Sequence, residues 1–93
     1  GWDVFYWKDR DQEVDFVVRG PNGENWAIEV KSGLAREKDL DGLKAFCAKH
    51  GDFEPCLVSF IGQAIPGVRS LSLEKVISLS AAHPSLKEIG STR

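Results

Sequence analysis

Methionine is absent from the chain, histidine and cysteine occur twice each, and tyrosine once. Without a methionine the chain does not begin at an initiator residue, so it reads as a C-terminal piece of a longer protein. Cys47 and Cys56 have no metal-site spacing, and neither His50 nor His83 is placed beside them by a motif of nucleophilic catalysis. With no secretory leader, such thiols read as reduced and buried, which points to the cytoplasm. No apolar run is long enough to cross a bilayer, so no membrane partner is expected. No glycine-rich phosphate loop occurs, and ATP hydrolysis is excluded from this piece. Basic excess is also missing: 12 Lys and Arg stand against 14 Asp and Glu, a net charge of −2. The basic footprint of a free-standing nucleic-acid binder is therefore absent.

What the chain does have is concentrated in residues 13–31, E-V-D-F-V-V-R-G-P-N-G-E-N-W-A-I-E-V-K. Two runs rich in Val, Ile, Phe and Trp alternate with polar residues on either side of Gly20-Pro21-Asn22-Gly23-Glu24, the pattern of an antiparallel hairpin. Asn22-Gly23 suits a two-residue type I′ loop. Pro21 with a left-handed Gly23 suits a three-residue bulged loop instead. The hydrophobic pattern decides for the latter, because it pairs Val18 with Trp26, Phe16 with Ile28 and Val14 with Val30 on one apolar face. The shorter loop opposes each apolar residue with a polar or small one, which a half-buried pair does not tolerate.

On the other face that register sets Val17 against Ala27, Glu13 against Lys31, and Asp15 against Glu29. Opposed Cβ atoms lie roughly 5 Å apart, and two carboxylates so placed repel unless something neutralises them. A hard divalent cation does so, since Mg²⁺ takes one or two carboxylates plus waters. Lys31 lies roughly 7 Å beyond Glu29 on the same face, within reach of a phosphate or a water. The simpler alternative is a surface in which Glu13 and Lys31 form a cross-strand ion pair and both acids are solvated.

Around the hairpin the pattern predicts a first strand over 4–8, ended by the polar turn at 9–12, and a helix over 37–50. Leu40, Leu43, Phe46 and Cys47 form the apolar arc of that helix, and Lys38, Asp41, Ala45 and Lys49 lie opposite. His50 suits a C-terminal cap and Gly51 a left-handed stop. A buried parallel strand is expected over 55–60 by a crossover, an edge strand over 68–73, and a short helix over 74–82 carrying Val76, Ile77 and Leu79. Pro84 would stop that helix, His83 is expected in an exposed turn, and 84–93 form a tail to a domain over 1–83. Trp2, Tyr6 and Trp7 suit core better than a base-stacking platform.

Asp15, then Glu29-Val30-Lys31 at the end of a hydrophobic strand, resembles the PD-(D/E)XK nuclease superfamily. Phe5-Tyr6-Trp7-Lys8, Glu13-Val14-Asp15-Phe16-Val17, Ile28-Glu29-Val30-Lys31-Ser32-Gly33 and Leu40-Asp41-Gly42-Leu43-Lys44-Ala45-Phe46 look like the nuclease-like C-terminal domain of a family of prokaryotic AAA-type ATPases. The resemblance implies an α/β, restriction-endonuclease-like α/β/α fold. Its mixed sheet would have about five strands in βββαββ order, with the first core helix missing and one sheet face incompletely covered, so that a homodimer is possible. It implies Mg²⁺ or Mn²⁺ held by Asp15, Glu29 and the carbonyl of Val30, with Lys31 positioning or activating the attacking water. A further acidic residue is expected upstream of Gly1. DNA and the N-terminal ATPase part of the parent chain are the implied partners. Two alternatives remain: an inactive nuclease-like module that docks on or regulates the ATPase, and a binding module recognising a protein partner through its aromatic first strand.

Overall fold

The computed structural model describes residues 2–82, without the side chains of 79–82. The expectations for His83, Pro84 and the tail over 84–93, and for the side chain of Leu79, lie outside the described residues.

Three strands form an antiparallel meander: β1 (Asp3–Asp9), β2 (Gln12–Arg19) and β3 (Asn25–Lys31). A 3-10 turn (Glu37–Leu40) leads into α1 (Asp41–Lys49), which carries the chain over the sheet to β4 (Glu54–Ser59), parallel to β3. β5 (Arg69–Ser70) adds parallel to β4, and α2 (Leu73–Ala82) follows. The five strands run in sheet order 1-2-3-4-5. The fold is thus α/β with a mixed five-stranded sheet, in the element order expected from the pattern.

The hairpin takes the bulged register: Val18 pairs with Trp26 and Phe16 with Ile28, Gly20 N donates to Glu24 O across 2.7 Å, and Gly23 has φ +84°. Strict alternation fails further down. Phe5 pairs with Val17 but Trp7 with Val14, so Tyr6 alone faces both Asp15 and Phe16. This is a β-bulge, and an extra residue reverses the in-out sense of everything before it. Val14 is therefore buried with Val17 and Ala27 under α1 rather than sharing a face with Phe16, which corrects the expected Val14–Val30 pairing.

Val14, Val17 and Ala27 meet Leu40, Leu43, Phe46 and Phe53 on the α1 side, with Trp7 edge-on to Phe46. Val18, Trp26, Ile28, Cys56 and Val58 form the core of the opposite face, packed by Trp2, Leu71 and Val76. Trp2 and Trp7 thus belong to the core, while Tyr6 is exposed and donates its hydroxyl to Glu13.

Three boundaries differ from expectation. The helix over 37–50 breaks into a 3-10 turn and α1: Asp39 N donates to Arg36 O at 3.0 Å, an i to i+3 bond, while Asp39 Oδ2 accepts from the Arg36 amide. His50 caps α1, its amide bonded to Phe46 O, but Gly51 is not left-handed. The edge strand over 68–73 shrinks to Arg69–Ser70, since Ser72 already caps α2 by accepting from the Lys75 amide.

Candidate functional site at the β2–β3 fork

β2 and β3 are bonded as a ladder only as far as Phe16–Ile28. Beyond that pair the bulge at Asp15 and Phe16 ends the ladder, and β3 continues with β4 through Val30–Val58 and Lys31–Ser59. Asp15 occupies the fork. Its side chain is buried, with the residue 7% exposed, and Oδ2 accepts from the Val30 amide across 2.9 Å. The expected face-to-face placement of Asp15 and Glu29 in a continuous ladder is therefore corrected. Asp15 is turned to the backbone of the residue between Glu29 and Lys31.

Glu29 and Lys31 line a cleft of about 310 Å³ that also takes in Glu13, Lys38, Asp39 and Gly42. Gly42 brings the start of α1 onto this site: a Cβ there would stand 2.0 Å from the carbonyl oxygen of Glu13. Only glycine permits that approach.

Glu13 pairs with Lys8 across β1–β2, and Lys31 reaches Asp39, with Nζ–Oδ1 at 3.5 Å. With Asp15 buried, the reading in which both acids are merely solvated does not hold. Asp39 is the site residue the pattern missed. Its only sequence signal is its place three residues after Arg36, where it closes the cap by accepting from the Arg36 amide across 2.8 Å. That amide lowers the Asp39 carboxyl from its ordinary value; burial opposes it, and the nearby Lys31 ammonium adds to the lowering.

Among the described residues no three His, Cys, Asp or Glu side chains gather into a metal-binding group. Mg²⁺ needs fewer: one or two carboxylates with waters suffice. Asp15 and Glu29 are hard oxygen donors, and one amide bond does not exhaust the acceptor sites of a carboxylate. By donor type these two carboxylates suit such an ion.

The domain of unknown function DUF4143 matches residues 1–81. The chain belongs to this family. Comparison with curated proteins and with solved structures gives no match. The DUF4143 match spans every described element from β1 through most of α2, so the fork, the cleft and Asp39 all lie within the family domain. Among the described residues of this DUF4143 domain, no helix is long and apolar enough to cross a membrane.

Cysteine chemistry contributes nothing here. Cys47 packs on the α1 side of the sheet and Cys56 in the core of the opposite face, so the sheet separates them and both are free. Burial raises both thiols, Cys56 up to about 12.

Proposed function

We propose that this DUF4143 domain is a metal-dependent phosphodiester hydrolase of PD-(D/E)XK type, acting on DNA as the C-terminal part of an AAA-type ATPase. One observation carries the reading: the buried carboxylate of Asp15 is bonded to the amide of Val30, the residue between Glu29 and Lys31. That bond supports the reading by bringing the buried acid to the backbone between the other two motif residues, where β2 and β3 part.

In this reading Asp15, Glu29 and the Val30 carbonyl hold Mg²⁺ or Mn²⁺. When bound, such an ion polarises a phosphate and lowers the pKa of a coordinated water. Asp15 anchors the backbone at the Val30 amide, on the residue whose carbonyl would join the metal ligands. Glu29 presents its carboxylate to the cleft. Lys31 orients the attacking water or stabilises charge developing on the phosphate.

A second reading is favoured by the charge of the cleft. Asp11, Glu13, Glu29, Asp39 and Asp41 line it against only Lys31 and Lys38, a balance that repels phosphate unless a cation intervenes. On that reading the domain is an inactive module that docks on or regulates the ATPase.

Titrating Mg²⁺ or Mn²⁺ into the full-length protein separates the two. The hydrolase requires a metal-induced rise in Tm by mass action, lost in Glu29→Gln, together with metal-dependent cleavage of DNA lost in Lys31→Ala. Absence of metal binding to the full-length protein sinks the hydrolase and leaves the docking module.

A further inference from the structure

The ammonium of Lys31 is held by a closed ring of contacts, and the ring begins and ends on Lys31 itself. Nζ meets Asp39 Oδ1 at 3.5 Å. The other oxygen of Asp39 accepts from the Arg36 amide at 2.8 Å. The preceding residue, Ala35, is buried and clamped by Gln63 at two points: Ala35 N donates to Oε1 at 2.8 Å, and Nε2 donates to Ala35 O at 2.9 Å. Gln63 N in turn donates to Ser59 Oγ at 2.9 Å. Ser59 pairs with Lys31 in the β3–β4 ladder, and Phe60 N donates to Lys31 O at 3.0 Å.

The two-point clamp matters physically. The loop between Lys31 and the 3-10 turn has no ladder partner of its own, and a primary amide that both donates to and accepts from one residue imitates a strand neighbour. It ties that loop to the end of β4. The exposure of the pair sets it apart from ordinary surface ion pairs. The Lys31 and Asp39 side chains are 29% and 24% exposed, against 57% and 90% for Lys44 and Glu37. A half-buried pair anchored by a backbone amide holds its geometry, whereas an exposed pair of long side chains does not.

We propose that Asp39 is the positioning residue for Lys31, and that Gln63, through its clamp on Ala35, sets where Asp39 stands. The consequence for catalysis rests on the hydrolase reading above; the positioning itself does not. Neither residue touches the reacting atoms. Both act by confining the Lys31 ammonium to the cleft edge beside Glu29, as supporting groups do around other polar sites.

The test uses full-length protein labelled with ¹³C and ¹⁵N at lysine, with the Lys31 signal identified by its loss in Lys31→Arg. A held lysine end shows two distinct Hε resonances, and a freely rotating one shows a single merged signal. Native Lys31 should show two and Lys44 one. Asp39→Asn keeps an acceptor for the Arg36 amide but removes the charge facing Lys31; in it, and in Gln63→Ala, the Lys31 pair should merge while the protein stays folded. If Gln63→Ala fails to fold, Gln63→Glu replaces it, since the carboxylate still accepts from Ala35 N but cannot donate to Ala35 O. On the hydrolase reading, kcat should fall about ten- to hundredfold in the same variants, with the metal-induced Tm shift retained. Distinct Lys31 Hε signals persisting in folded Asp39→Asn, Gln63→Ala or Gln63→Glu overturn the proposal. A native protein with a held Lys31 that binds no metal and cuts no DNA leaves the positioning intact and removes the hydrolase instead.

Discussion

The Val30 amide donates to Asp15 Oδ2 across 2.9 Å, at the point where the β2–β3 ladder has already ended. A carboxylate here provides the acceptor that a neighbouring strand supplies elsewhere in the sheet. Asp15 therefore does two things at once: it satisfies a half-buried backbone donor, and it brings a charged group to the strand that carries Glu29 and Lys31.

This sets the expected response to substitution at Asp15. Repulsion across a continuous ladder predicts that removing the charge stabilises the fold, but the amide bond makes the outcome depend on what replaces it. Asp15→Ala leaves the Val30 donor unsatisfied and should cost about 1–3 kcal/mol in urea unfolding, whereas Asp15→Asn keeps an acceptor and should cost far less. Equal effects of the two variants would show that the bond contributes nothing.

Gly42 offers a case in which helix propensity and packing oppose each other. Alanine inside a helix gains about 1 kcal/mol over glycine by propensity alone. At this position its Cβ would stand 2.0 Å from Glu13 O, a backbone atom that cannot swing aside. Overpacking typically costs about 1–3 kcal/mol, and a backbone clash this close belongs at the upper end. Gly42→Ala should thus lower Tm, and it should disturb the cleft, since α1 must lift from β2.

Arg10 turns the chain between β1 and β2 with φ 60°, a left-handed conformation that disfavours a side chain. Arg10→Gly should raise stability by about 0.5–1 kcal/mol, the gain being the relief of that conformation less the added freedom of glycine in the unfolded chain. Chemical denaturation measures it directly, and a lower midpoint would mean that the arginine side chain contributes more than the strain it imposes.

The thiols respond to pH with a defined sign. Burial, with the Glu54 carboxylate adding to it, raises Cys56 from 9.0 to about 12. A folded value above the unfolded one favours the protonated form. The corresponding stability is fully present below the unfolded pKa and is lost as pH rises from about 9 through about 12. Near pH 8, thiol reagents should label the half-buried Cys47 slowly and Cys56 only on unfolding. Rapid labelling of both in the folded protein would contradict the buried placement of Cys56.

The hairpin register was legible because period-two alternation and the Gly20–Glu24 turn are local, and a slip of one residue exposes a whole apolar face. The apolar arc of Leu40, Leu43 and Phe46 was legible for the same reason at helical period, and all three are buried. Asp15, Glu29 and Lys31 were singled out from the hairpin register and from the motif they resemble. Their arrangement was not legible. No local signal in Asp15-Phe16 announces a bulge, which exists because β1 and β2 pair one residue against two. That single extra residue moved Val14 beneath α1, freed Asp15 from the ladder and turned its carboxylate to Val30. Asp39 showed only its place three residues after Arg36, and Gln63 lay beyond pattern altogether, since it meets Ala35 only after a crossover has brought β4 beside β3. Periodicity specifies which side of an element is apolar; contacts between elements distant in sequence, and the irregularities that make room for a site, are settled only when the chain closes on itself.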